Sequence, residues 1–210
     1  MFWLFVILVL NAGISYWNAY VCGRSWEESK AVGGAVRFMV WCGAIQSAAG
    51  FSSVIMFPLV LLAHVVVPQY FTEVYLRGAV SLWYITVIFP VLGTGLAITV
   101  ESWVRAYRER DLLSMGVASW NTFAQIHNTV SAVENLGSAF GDVAKTFASV
   151  TEGASDSDDP KATLAIVGLI IMVSIVIIAI GGGALLTAVI IKRYAGTVPL
   201  PIRVPARSVR

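Results

Sequence analysis

Few side chains in this sequence are of types that carry chemistry, and four of them lie close together. They fall in an uncharged stretch, positions 112–133, and are Asn121, Gln125, His127 and Asn128. Amide and imidazole groups at this spacing on a helix form a polar face that binds water or another protein. The pattern predicts a contact face or, in a homo-oligomer, the lining of a water-filled pore.

The rest of the sequence holds no motif of enzymatic chemistry. It lacks the glycine-rich phosphate-binding patterns, H-E-x-x-H and C-x-x-C. Cys22 and Cys42 lie on different apolar stretches without further metal ligands, and His64, near the end of its stretch, is interpreted as structural. The carboxylates near apolar stretches lie among arginines, where ion pairs are expected: Glu101, Glu109 and Asp111. We therefore predict a non-enzymatic protein with no cofactor and no metal.

The composition indicates an integral membrane protein. Of 210 residues, 58% are hydrophobic and 12% are charged, which is about half the charged fraction of average soluble chains. The mean hydropathy is +0.79. These values exclude a disordered chain, a collagen and a nucleic-acid-binding domain, and two cysteines are too few for a disulfide scaffold. The expected partners are the lipid bilayer and either other proteins or copies of this chain.

Five stretches of the sequence contain no Asp, Glu, Lys or Arg: 1–23, 38–72, 78–100, 112–133 and 162–191. A helix that crosses a bilayer needs about 20 predominantly apolar residues. Four stretches meet this requirement, so we predict an all-α, polytopic integral membrane protein with four transmembrane helices. The exception is 112–133, because its polar groups would be costly in lipid.

Three predicted spans allow more than one form. The stretch 1–23 is interpreted as a retained helix, with a cleaved signal peptide as the alternative. The stretch 38–72 is long for one crossing, so it predicts either one tilted helix or a re-entrant hairpin turning near residues 50–53. Three glycines at 181–183 either weaken the last helix or allow another backbone to approach it closely.

A hydrophilic segment, 101–161, separates the third and fourth spans and is predicted to contain an amphipathic helix, 112–150, and an acidic linker, 151–161. An apolar residue recurs every seven positions along this helix and predicts a broad face packed against protein. The stripe consists of Ile126, Val133, Phe140 and Phe147, with Phe123, Val130 and Ala144 on an adjoining row and Leu136, Val143 and Val150 widening it. Gly137 and Gly141 are expected to break or bend the helix.

The basic residues that determine topology form three clusters. They are Arg24, Lys30 and Arg37 in the basic loop 24–37, then Arg105, Arg108 and Arg110, then Lys192 and Arg193 at the start of a basic, proline-containing tail, 192–210. Basic residues near span ends favour the inside, and no four-span topology brings all three clusters there. Either 112–133 crosses as a fifth helix, or 38–72 is the hairpin. Charge favours the first, but hydropathy favours a helix on the membrane surface or in a soluble hairpin, which is our prediction.

The predicted function follows from packing surfaces rather than from catalytic groups. We expect a non-enzymatic subunit or scaffold of a larger envelope complex, in an inner or plasma membrane. Its contacts would come from the amphipathic segment and from small-residue helix faces. The alternative is a homo-oligomeric pore lined by the polar face of 112–133.

Overall fold

A computed structural model describes residues 2–153 and 160–197 and confirms the all-α fold. These residues form six helices: α1 (Phe2–Arg24), α2 (Trp26–Val32), α3 (Gly34–Val66), α4 (Glu73–Glu109), α5 (Leu112–Gly153) and α6 (Pro160–Tyr194). α1, α3, α4 and α6 are long and apolar enough to span a membrane. Residues 154–159 of the predicted acidic linker and 198–210 of the predicted tail lie outside the described residues.

The second apolar stretch, 38–72, lies mainly in one continuous helix, so the re-entrant hairpin is wrong. α3 passes through residues 50–53 without a turn and ends at Val66. The small residues of this range, Gly50, Ser52 and Ser53, pack against neighbouring helices instead. Ser53 is buried, and the side-chain amide of Asn11 in α1 donates to its hydroxyl at 2.5 Å. Small side chains here serve close helix packing.

The stretch predicted as a basic loop, 24–37, contains the short helix α2. A seven-residue helix is not stable in isolation, because helix nucleation costs more than so few hydrogen bonds return. Here the ring of Trp26 lies 5.3 Å from that of Trp41 on α3 and packs against a buried cluster that includes Val40. Tertiary contact therefore stabilises a helix that the local sequence does not predict.

The long helices alternate in direction through the bundle. The Gln46 side chain of α3 donates to the Val91 carbonyl of α4 at 2.8 Å, whereas Trp83 of α4 donates to Ser52 of α3 at 2.9 Å. Because numbers rise along one helix as they fall along the other, α3 and α4 are antiparallel. The main hydrophobic core lies between α3, α4 and α6 and includes Met56, Val60, Phe71, Tyr75, Ala79, Met172 and Val176.

One end of the bundle, which we call the basic end, collects all three basic clusters. The last turn of α1, the start of α3 and the last turn of α6 meet there in a buried cluster of Cys22, Val40 and Ile191. The last turns of α4 line a cleft together with Cys22 and Val40. The basic residues at this end are Arg24, Lys30, Arg37, Arg105, Arg108, Arg110, Lys192 and Arg193. The three clusters can share one end because α5 returns the chain to the opposite end before α6 begins.

The glycines at 181–183 allow close backbone approach and do not interrupt α6. A β-carbon at Gly183 would lie 2.5 Å from the carbonyl oxygen of Ala48 and 2.6 Å from the amide nitrogen of Ser52. α6 continues without a break to Tyr194. Of the two predicted consequences, close contact between α3 and α6 is therefore the correct one.

Candidate functional site

α5 is one continuous helix that begins at a tight turn from α4. Arg110 ends α4 in the left-handed region, with φ of 52°. Asp111 is the N-cap of α5, because its Oδ1 accepts the backbone N–H of Ser114 at 2.7 Å. This bond lowers the pKa of the Asp111 carboxyl. The break expected at Gly137 and Gly141 does not occur, since α4 supports α5 along its length.

α5 packs on α4 through a different face from the one predicted. The apolar stripe is exposed by 58% at Ile126, 77% at Val133, 53% at Phe140 and 46% at Phe147. The row that faces the bundle also recurs every seven residues and consists of Ala118, Gln125, Ala132, Ala139 and Thr146. Because most side chains on this row are small, the two backbones can approach closely. The larger side chains of the apolar stripe would prevent that approach. The predicted packing face is therefore wrong along the stripe and its adjoining row, whereas the residues predicted to widen it, Leu136, Val143 and Val150, are half-buried.

Polar groups connect α4 and α5 over their whole length. The bonds are Trp103 Nε1 to Thr122 Oγ1 at 2.8 Å, Thr99 Oγ1 to the Asn121 carbonyl at 3.3 Å, Gln125 Nε2 to the Leu92 carbonyl at 3.1 Å, Tyr84 OH to the Ser131 carbonyl at 3.2 Å, and Thr146 Oγ1 to the Val74 carbonyl at 3.1 Å. The two helices are therefore antiparallel, and these donors have protein partners across the interface, whereas Gln125 Oε1 is buried without a hydrogen-bond partner among the described residues.

The structure brings three of the four predicted polar residues to the same side of α5. Asn121, Gln125 and Asn128 are half-buried toward the bundle. His127 is exposed instead, and its ring stacks on Phe123 with centroids 6.5 Å apart and an interplanar angle of 11°. The group predicted as one polar face is therefore divided between a helix interface and the outer surface.

Gln46 of α3 meets the same part of α4 and was missed from the sequence. Its Nε2 donates to the Val91 carbonyl and to Thr94 Oγ1, both at 2.8 Å. Gly95 makes room between the two amides, because a β-carbon there would meet the side chains of both Gln125 and Gln46. The available signal was an isolated amide within an apolar stretch, where unpaired polar groups are costly.

Within the described residues, Cys22, Cys42 and His64 are packed or hydrogen-bonded in ways that indicate a structural role. Cys22 and Cys42 are buried as free thiols, and Cys22 donates to the Val40 carbonyl at 3.3 Å. His64 Nδ1 lies 3.0 Å from the Phe71 carbonyl, which only accepts, so this nitrogen carries the proton. No group of three or more potential metal ligands occurs in the part of the chain that the structure describes.

Glu134 on α5 is level with the uncharged part of α4 along the length of the bundle. The neighbouring Ser131 carbonyl accepts the bond from Tyr84, and the Asp142 carboxylate further along α5 accepts one from Ser81 at 3.3 Å. The position of Glu134 along the bundle is thus between these two contacts, within the uncharged stretch 78–100 of α4. Its side chain is exposed on the outer surface of the bundle.

The outer face of α5 around Glu134 is open. β-Carbons at Gly137 and Gly141 would have no neighbour within 4 Å. These glycines form a G-x-x-x-G pattern, the spacing that allows two transmembrane helices to approach closely. We call Glu134, Gly137, Ser138 and Gly141, all on one side of α5, the outer face of α5.

A cleft of about 970 Å³ opens at the basic end between α1, α3 and α4. Its apolar part includes Val21 on α1 and Val36 and Met39 on α3. Its α4 wall carries two carboxylates and two guanidinium groups, from Glu101, Arg105, Arg108 and Glu109. Arg105 Nε lies 3.7 Å from Glu101 Oε1, which is an ion-pair distance but too long for a good hydrogen bond.

No protein-family model, no curated protein and no solved structure matches this chain. Three features of the molecule bear on its function: the polar interface between α4 and α5, the outer face of α5, and the cleft at the basic end. A fold alone would not assign a function in any case, because one fold supports many activities.

Proposed function

We propose that this chain is an integral membrane protein with five transmembrane helices, α1, α3, α4, α5 and α6. α5 lies antiparallel along α4 over its whole length, so a bilayer around the uncharged stretch of α4 also surrounds α5. Large apolar side chains of α5 point outward and many of its polar groups bond to α4. This arrangement is favourable in lipid, where polar groups need partners within the protein.

The distribution of basic residues supports five crossings. An odd number of alternating long helices leaves the ends of α1, α4 and α6 at the same end of the bundle, together with the start of α3. All three basic clusters then face one compartment, as expected for the inside. This agreement with the positive-inside pattern supports our proposal that the membrane is an inner or plasma membrane.

Single-cysteine labelling tests the number of crossings. Cysteines replace one residue at a time in a chain without Cys22 and Cys42, at the exposed and uncharged positions Gln69, Leu112, Thr151 and Thr197. An impermeant maleimide should label positions 69 and 151 from one side of the membrane and positions 112 and 197 from the other. If positions 112 and 151 react from the same side, α5 does not cross and the five-helix proposal fails.

Within the membrane, the protein is a non-enzymatic subunit or scaffold of a larger envelope complex. The observation that carries this function is the exposed carboxylate of Glu134, placed at the depth of the uncharged stretch of α4. An ionisable group facing acyl chains at this depth is costly. A second helix that packs on Gly137 and Gly141 would cover it, and the open space at both glycines allows that contact.

Site-specific photo-crosslinking in native membranes tests the assembly. A photoreactive phenylalanine analogue at Phe140, which is 53% exposed beside Gly137 and Gly141, keeps both glycines and should form protein adducts. The same analogue at Ile177, which is 64% exposed on α6, is the control for a lipid-facing surface. Glu134→Gln should reduce the adduct yield at position 140. Equal yields at both positions, or no protein adduct at position 140, would contradict the proposal, and so would an increase in stability on Glu134→Leu without loss of adduct.

The alternative, a homo-oligomeric pore lined by the polar face of 112–133, has weaker support. Gln125 Nε2 donates to the Leu92 carbonyl of α4. This amide group is thus engaged within one chain rather than directed at a channel axis, and the exposed His127 does not share its face. Ion flux through vesicles that contain the purified protein would favour the pore, particularly if Gln125→Leu changed its selectivity.

A further inference from the structure

The cleft at the basic end spans the boundary between the apolar and the charged parts of the bundle. Its deeper residues, Trp17, Gly43 and Ile98, belong to the uncharged stretches of α1, α3 and α4. Its outer residues, from Glu101 to Glu109, belong to the charged last turns of α4. If these helices cross the bilayer as proposed above, the cleft extends from the acyl-chain region into the headgroup region.

The size and chemistry of the cleft suit an amphiphile. Its volume of about 970 Å³ is at the upper end of the range for small-molecule sites. Val36 and Met39 provide an apolar floor, and Val21 of α1 continues it. A wholly polar ligand would leave this floor without a partner, and a hydrocarbon would leave the charged wall desolvated.

The charges on the α4 wall are balanced, with two arginines and two glutamates. Arg105 and Arg108 can bind phosphate oxygens through guanidinium forks. Glu101 and Glu109 repel a purely anionic head group but accept hydrogen bonds from an ammonium group. The long 3.7 Å separation of Arg105 from Glu101 leaves donors of Arg105 available for a ligand.

We propose that this cleft binds one zwitterionic diacyl phospholipid whose head group contains a phosphate and a primary ammonium. The phosphate lies at Arg105 and Arg108, the ammonium lies at Glu101 and Glu109, and an acyl chain runs along the apolar floor between α1 and α4. This site goes beyond the proposed role in assembly, and it rests on membrane insertion of α1, α3 and α4 but not on a partner protein.

Native mass spectrometry of delipidated protein in detergent tests the site. Phosphatidylethanolamine and phosphatidylglycerol are titrated separately, and the first should bind more tightly. The double variant Arg105→Gln, Arg108→Gln should bind phosphatidylethanolamine at least tenfold more weakly, since the loss of even one hydrogen bond to a charged group costs about 1.4 kcal/mol or more. Lys192→Gln, which removes a basic residue outside the cleft, should bind as the wild type does.

Two further variants keep the proposal falsifiable. Glu101→Gln combined with Glu109→Gln should abolish the preference for phosphatidylethanolamine over phosphatidylglycerol, because only the ammonium group needs these carboxylates. Ala35→Trp fills the cleft at an exposed lining position and should prevent binding while leaving all four charges in place. Equal affinity for the two lipids in the wild type, or unchanged binding in the Ala35→Trp variant, overturns the proposal. Either result leaves the crosslinking test of assembly unaffected.

Discussion

Gly183 and Gly181 offer a matched pair of substitutions on one helix. Gly→Ala in a helix interior gains about 1 kcal/mol from helix propensity, and this gain is common to both positions. At Gly181 a β-carbon has no neighbour within 4 Å, so Gly181→Ala should stabilise the protein by up to about 1 kcal/mol. At Gly183 the same atom meets the backbone of α3 at 2.5 Å and 2.6 Å.

Backbone atoms cannot rotate away from the new methyl group, so α3 and α6 must separate. Overpacking of this kind costs about 1–3 kcal/mol. Separation also stretches the bond between Ser47 and Thr187, which is 3.1 Å long and lies one turn away; its loss adds about 1 kcal/mol. After the propensity gain, Gly183→Ala should destabilise by about 1–3 kcal/mol, a difference from Gly181→Ala of about 2–4 kcal/mol.

The assay is reversible unfolding in mixed micelles, followed by far-UV circular dichroism as the fraction of denaturing detergent increases. Both variants are measured beside the wild type under the same conditions, so the uncertain extrapolation to zero denaturant largely cancels. If Gly183→Ala is as stable as Gly181→Ala, the close approach of α3 and α6 is wrong. A loss of stability at both positions would show instead that the glycines serve the helix itself.

Three further predictions concern the turn between α4 and α5 and the buried thiols. Arg110→Gly should raise the free energy of unfolding by about 1 kcal/mol, because glycine adopts the left-handed conformation without strain; Arg108→Gly, inside α4, should lower it. Asp111→Ala should destabilise the start of α5. The lowered pKa of Asp111 means that its contribution is present at neutral pH and is lost as the pH falls below about 3.9, the usual value, through the folded one; Asp111→Asn keeps the cap and should remove this pH dependence in a stability titration. Cys22 and Cys42, 5% and 2% exposed, should react with maleimide only after unfolding, and fast labelling of the native protein would contradict their burial.

The distribution of charge predicts the long helices well because charged side chains are costly in the apolar part of a membrane. Runs without Asp, Glu, Lys or Arg mark α1, α3, α4 and α6, and the structure confirms each as a helix long enough to span a membrane. The short helix α2 escapes this reasoning, since it depends on the contact between Trp26 and Trp41. Gln46 escapes it too, because its role depends on the Val91 carbonyl and Thr94 of a partner helix distant in sequence.

The orientation predicted for α5 is wrong for a more general reason. The seven-residue periodicity identifies an apolar stripe at Ile126, Val133, Phe140 and Phe147. In a protein surrounded by water, such a stripe is expected to pack against the core. If lipid lies outside, apolar side chains have no reason to leave the surface, and polar groups and small residues are the ones that gain from packing. Periodicity alone therefore identifies two faces of a helix but not which of them is buried.

The position of the three basic clusters at one end of the bundle and the outward orientation of the apolar stripe of α5 both follow from the antiparallel packing of α5 on α4. Four crossings leave the three basic clusters on opposite sides, and a fifth helix at 112–133 is costly only while its polar groups are counted as facing lipid. In the bundle, Gln125 bonds to the Leu92 carbonyl, and the stripe that would have packed inward is exposed. Hydropathy averages over both faces of a helix and so opposes a crossing that the arrangement of those faces favours. The exposed carboxylate of Glu134 lies level with the uncharged stretch of α4, and this is the ground on which we propose that a second protein covers the outer face of α5.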